Sequence, residues 1–83
     1  MKENIVLANE YLNKWCNTEG INFYEGIEAL GNLFKWAVPK LHYASLSFQP
    51  CWKWNYLAEV DGYSFNGQDP ALTLFWAIGE VMK

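Results

Sequence analysis

The chain has 83 residues, enough for one hydrophobic core, so a single domain over residues 1–83 is expected. Hydrophobic residues make up 52% and aromatics 18%, which excludes a disordered or linker segment and leaves aromatic surface beyond what one small core consumes. A formal charge of −3, from nine acids against six lysines and no arginine, lacks the basic footprint of non-specific nucleic-acid binding.

In chain order, Ile5, Ala8, Leu12 and Trp15 recur at helical spacing between Asn4 and Asn17, with Glu3, Asn9, Glu10, Asn13 and Lys14 mostly elsewhere on the circumference. This predicts an amphipathic helix with one buried stripe. It should end at Asn17-Thr18-Glu19-Gly20, where a residue tolerant of positive φ precedes a new apolar start. A second helix is expected from about Phe23 to Ala37. Asn22 and Glu25 resemble a capping box, and Ile27, Leu30, Leu33, Phe34, Ala37 and Val38 follow at steps of three and four. Gly26 and Gly31 each weaken this helix by up to ~1 kcal/mol relative to Ala, which points to close packing of another backbone. Pro39 should push Val38 out of the α region and end the helix.

From Leu41 the period becomes two. His42, Ala44, Leu46 and Phe48 alternate with Tyr43, Ser45, Ser47 and Gln49, the pattern of a half-buried strand with a wetter opposite face. After Pro50-Cys51, Trp52, Trp54, Tyr56, Ala58 and Val60 alternate with Lys53, Asn55, Leu57 and Glu59. The short connection makes the two strands an antiparallel hairpin. Asp61-Gly62 is a turn signal, and Tyr63-Ser64-Phe65 can add a third strand before Asn66-Gly67.

The last helix has the best-marked start. Asp69 is the N-cap candidate, and Pro70 occupies the first helical position, where a missing N–H costs nothing. Leu72, Phe75, Ile78, Gly79 and Met82 face one way, while Leu74, Trp76, Ala77 and Val81 widen the apolar surface. Such a helix is either sandwiched between layers or shared with a second subunit. The fold class is therefore α+β in the order α-α-β-β-(β)-α, a small α/β sandwich with an antiparallel sheet packed by helices.

Reactive chemistry finds little support. Cys16 and Cys51 lie far apart with no metal-ligand spacing, and without a signal-like N-terminus reduced thiols in a cytoplasm are expected. No apolar run reaches the ~20 residues of a membrane span. The one histidine, His42, falls on the apolar face of the first strand and reads as a structural, hydrogen-bonded side chain. One His and two scattered Cys do not make a zinc site. Glu25 and Glu28 belong to a helix surface, and Asp61 and Asp69 are explained by a turn and a cap. Gly62 and Gly67 lack the spacing and lysine of a phosphate loop. No catalytic, cofactor or metal residues are expected.

The unusual feature is aromatic. Trp52-Lys53-Trp54, with Tyr43, Tyr56, Tyr63 and Phe65, gathers rings onto a small sheet. Cross-strand pairs that cover a helix account for this; stacking on single-stranded bases is the alternative, and a protein-partner surface is the third reading. The candidate partner surface comprises Trp52, Trp54, Tyr63, Phe65, Leu74, Trp76 and Val81.

The order of Asn22-Phe-Tyr24-Glu-Gly-Ile-Glu-Ala-Leu30, a Trp-bearing strand closed by a Gly turn, and Gly67-Gln-Asp-Pro-Ala-Leu72 opening an Ala-containing helix resembles the small phage proteins carrying the ABA sandwich domain. The likeness spans about Asn22 to Met82. Glu25 stands where that family commonly has a small hydroxyl cap, and Phe75 and Trp76 replace usually small or polar residues. The resemblance implies an α/β sandwich in a phage or prophage protein, with no functional residues to carry over. The expectation is a non-enzymatic accessory protein of the bacterial host cytoplasm that needs no cofactor. It would bind a protein, as a homodimer or as a modulator of a host system. The alternative is a nucleic-acid module on the aromatic sheet face.

Overall fold

The computed structural model describes residues 2–50 and 55–82, with side chains from Asn4 onward. Its elements are α1 (Lys2–Cys16), α2 (Gly26–Asn32), β1 (Ala44–Phe48), β2 (Tyr56–Val60), β3 (Tyr63–Gly67) and α3 (Pro70–Met82). The class is α+β as the periodicity predicts, with an antiparallel sheet of order β1-β2-β3. Helix α3 packs on β2 and β3, while α1 and α2 pack chiefly on α3 rather than on the sheet. The last helix therefore lies between layers, which is why its sequence is apolar over so much of its circumference. Among the described residues, no helix is long and apolar enough to cross a membrane.

Helix α1 stops where its sequence says it should. Asn17 takes φ 63°, and the N–H groups of Asn17 and Thr18 bond the carbonyls of Lys14 at 3.1 Å and Asn13 at 2.8 Å. That pair of bonds is a Schellman cap closed by an asparagine instead of a glycine. Leu12 and Cys16 are buried on the core stripe, but so is Asn13, at 7% exposure. The sequence reading had placed Asn13 away from the core.

Helix α2 is shorter than the predicted Phe23–Ala37, and four further expectations about it fail. Asn22 does not cap it: the Asn22 Oδ1 accepts the N–H groups of Tyr24 and Glu25, both at 3.1 Å, forming an Asx turn ahead of the helix. Glu25 is itself the N-cap residue and makes no side-chain cap bond. Gly26 and Gly31 meet no neighbouring backbone, since a Cβ on either would have open space. Gly26 is instead required by its φ of 84°. Ile27, expected on the core stripe, is 90% exposed. Pro39 does not expel Val38 from the α region. The chain continues from α2 through a π-helical segment, Leu33–Ala37, where the Val38 N–H reaches the Leu33 carbonyl, and a 3₁₀ turn, Val38–Lys40, with Val38 at φ −57° and ψ −39°. The wider π turn absorbs the proline by shifting the hydrogen-bond register.

In the sheet, Ala44 to Phe48 pair antiparallel with Val60 to Tyr56, and Tyr56 to Val60 with Gly67 to Tyr63. Asp61 (φ 44°) and Gly62 (φ 93°) make the tight turn, both at positive φ as a type I′ hairpin requires. Strand β3 runs through Asn66-Gly67, where the sequence suggested a turn. A Cβ at Gly67 would collide with Thr73 Oγ1, so the glycine lets this strand lie against α3.

Helix α3 begins as read. Asp69 Oδ2 accepts the Leu72 N–H at 2.8 Å. Thr73 donates its hydroxyl to the Asp69 carbonyl at 2.6 Å, which satisfies a buried polar group locally. Leu74, Ala77 and Ile78 join Leu12, Phe23, Leu33, Ala58 and Val60 in the core.

Candidate functional site

Helix α1 carries a second apolar row beside its core stripe. Leu7, Tyr11 and Trp15 follow each other at intervals of four, with Ala8 alongside, so one flank of the helix is lined by apolar and aromatic side chains. Leu7 is 48% and Tyr11 54% exposed. From Ala8 onward this flank faces α3 across an open groove of about 570 Å³.

Ala8, Tyr11, Leu12 and Trp15 form the α1 wall; Phe75, Trp76, Gly79 and Met82 form the α3 wall, with Glu80 also lining the groove. Gly79 contributes width, since no atom lies within 4 Å of where its Cβ would be. Phe75 and Trp76 meet edge to face at 5.1 Å between centroids, and Tyr24 meets Phe75 at 6.0 Å. The rings thus hold one another in place, and the groove is preformed rather than dependent on a ligand to order it. Lys40 sets its Nζ 5.3 Å from the Trp15 ring centroid, a cation–π contact.

Apart from Glu80, the described lining of the groove is apolar and aromatic. Nearby Cys16 is buried, and burial raises its thiol pKa, with the charge of Lys40 pulling the other way. Its proton is therefore held more firmly than in an exposed thiol, the opposite of nucleophile activation. Among the described residues, no three His, Cys, Asp or Glu side chains are placed to share a metal ion.

The sequence-predicted surface divides. Trp76 does line the groove, and Val81 is half-buried against the core. Leu74 is fully buried in the chain's own core and offers no contact surface. Phe65 packs against the core, and Tyr63 sits at the rim of the same sheet face, paired with buried Val60. Trp52 and Trp54 lie outside the described residues. The outer face of the sheet presents Ser45, Ser47, Leu57, Glu59, Ser64 and Asn66, with Tyr43, 57% exposed, just ahead of β1. His42 is also corrected. It precedes β1, its side chain is 99% exposed, and its Nδ1 lies 3.7 Å from Asp61 Oδ2. Asp61 does more than turn the chain, since its Oδ1 accepts the N–H groups of His42 and Tyr43 at 3.0 and 2.8 Å.

The partners of Trp76 across the groove, Tyr11 and Trp15, were missed. The signal was present in the four-residue spacing of Leu7, Tyr11 and Trp15, but counting a single stripe absorbed Trp15 into the core and left Tyr11 unplaced. No protein-family model matches the chain, and neither a curated protein nor a solved structure matches it.

Proposed function

We propose that this chain is a non-enzymatic binding protein whose contact surface is the groove between α1 and α3, and that the partner is a second copy of the chain. The observation that carries this reading is the pairing of a ridge with a groove on one face. Exposed Tyr11 forms the rim of a trough walled by Trp15, Phe75 and Trp76, with exposed Leu7 one turn earlier on α1. A two-fold dimer needs such self-complementarity, each ridge entering the other copy's trough. Aromatic anchors in a preformed trough are the side chains that dominate interface energetics.

The resemblance to ABA sandwich phage proteins supports a phage or prophage accessory role in a bacterial host's cytoplasm, with the dimer acting on a host system. The test is sedimentation equilibrium of the 83-residue chain. The expected mass is that of two chains, and Trp76→Glu should reduce it to one while leaving the circular dichroism spectrum intact. A single-chain mass for the unaltered protein at high micromolar concentration refutes the proposal. A dimer that survives Trp76→Glu refutes the groove as its interface.

A further inference from the structure

The net charge of −3 conceals a strong segregation. Five of the nine acids lie before residue 29 and four after residue 58, so residues 29–58 hold no Asp or Glu but three lysines, Lys35, Lys40 and Lys53. The same stretch carries Trp36, Trp52 and Trp54. An overall acidic balance therefore does not describe its local potential.

The fold turns part of this stretch outward. In the π-helical segment Leu33 and Ala37 are buried, and the three residues between them are exposed, Phe34 at 45% and Trp36 at 37%. Lys35 holds its Nζ 5.0 Å from the Trp36 ring centroid, and Lys40 repeats the arrangement over Trp15. Among the described residues, neither ammonium forms an ion pair with a carboxylate. No described carboxylate supplies their counter-charge.

We infer that Phe34, Lys35, Trp36 and Lys40 form a contact site for single-stranded nucleic acid. Such a strand alternates an anionic phosphate with a planar base, and here the Lys35 ammonium lies 5.0 Å from the exposed Trp36 indole, with a second lysine, Lys40, four residues further along. The phosphates take the lysines and the bases stack on the exposed rings. An anionic bilayer would want aliphatic side chains to insert beside the rings. Those of this segment, Leu33, Val38 and Leu41, are turned into or packed against the core. With two lysines engaged, the logarithmic salt dependence should have a slope of about −1.4, at roughly −0.7 per phosphate for single strands. Binding is correspondingly weak, and the acidic remainder of the chain confines it to low ionic strength.

The test is fluorescence anisotropy of a labelled oligothymidylate titrated with the full chain, with phosphatidylserine vesicles as a second probe. Binding at low salt with that slope, weakened about tenfold by Trp36→Ala and abolished by the double variant Lys35→Glu, Lys40→Glu, is the expected result. Lys35→Ala alone gives a milder second variant should the double one unfold, and it should flatten the salt slope. Absence of oligonucleotide binding at low salt overturns the site. Binding unchanged in these variants, or binding to anionic vesicles alone, does so too.

Discussion

Helices α1 and α3 share one core but are held in it by different forces. Helix α3 is held by apolar area: Ala71, Leu74, Phe75, Ala77 and Ile78 are all buried, and its one buried hydroxyl bonds back within the helix. Helix α1 buries only Leu12 and Cys16 as apolar residues and lashes itself to the following loop with two asparagines. Asn13 donates to the Ile21 carbonyl at 2.9 Å while its Oδ1 accepts the Ile21 N–H at 3.0 Å. Asn9 donates to the same carbonyl at 2.9 Å and accepts the Phe23 N–H at 3.0 Å. The two amides treat the extended 21–23 segment as a neighbouring strand would, and they set Phe23 into the core. In a chain too small for a large apolar interface on every helix, directional amide bonds can fix position where area is short.

The largest effect should come from the α3 side. Leu74→Ala removes a fully buried side chain from between the sheet and the helices and should destabilise the domain by about 2–5 kcal/mol. Chemical denaturation at fixed chain concentration measures it, since self-association would make stability concentration-dependent. A loss below about 1 kcal/mol would mean that α3 is not the apolar keystone of this comparison.

The contrast also explains what the sequence could and could not disclose. Signals that act on the local backbone were legible: Asn17 ending α1, Asp61-Gly62 turning the hairpin, and Asp69-Pro70 opening α3. So was the apolar mass of α3, because hydrophobic burial is non-directional and needs only the right period. Asn9 and Asn13 were not legible, because their partners are backbone groups 8 to 14 residues along the chain and an amide carries no mark of which backbone it will bond. The start of α2 misled for a related reason. Asn22 and Glu25 have the spacing of a capping box, yet the same Asn side chain serves equally well in an Asx turn. The groove was half legible, through Trp76 on α3, while its α1 wall depended on a second row hidden beside the core stripe.

The α1 side should yield an intermediate effect. Asn13→Ala leaves the Ile21 N–H and the Thr18 hydroxyl, now 2.8 Å from Asn13 Oδ1, without that acceptor. The Ile21 carbonyl keeps its bond from Asn9. With one carbonyl still satisfied and the loop half-buried, the expected loss is about 1–3 kcal/mol. Native-state hydrogen exchange should show it as faster exchange of the Ile21 and Phe23 amides, while those of α3 keep their protection. Equal loss of protection in both helices would show that the asparagines support the whole core rather than one edge of it.

The smallest effect tests whether the polar end of α3 matters beside its apolar bulk. Asp69 accepts the Leu72 N–H through its side chain and the Thr73 N–H and hydroxyl through its carbonyl. Asp69→Ala deletes only the first of these, so the cost should be that of one N-cap, about 1 kcal/mol. For a domain of this size that corresponds to a fall in Tm of about 4–8 °C. Asp69→Asn keeps an acceptor of the same reach and should lie close to the parent, the remaining difference being the loss of a negative charge at a helix N-terminus. If Asn and Ala lower Tm equally, the charge rather than the hydrogen bond supplies the cap. If neither changes it, apolar burial alone holds α3 in place, and the contrast with α1 is sharper than the hydrogen bonds suggest.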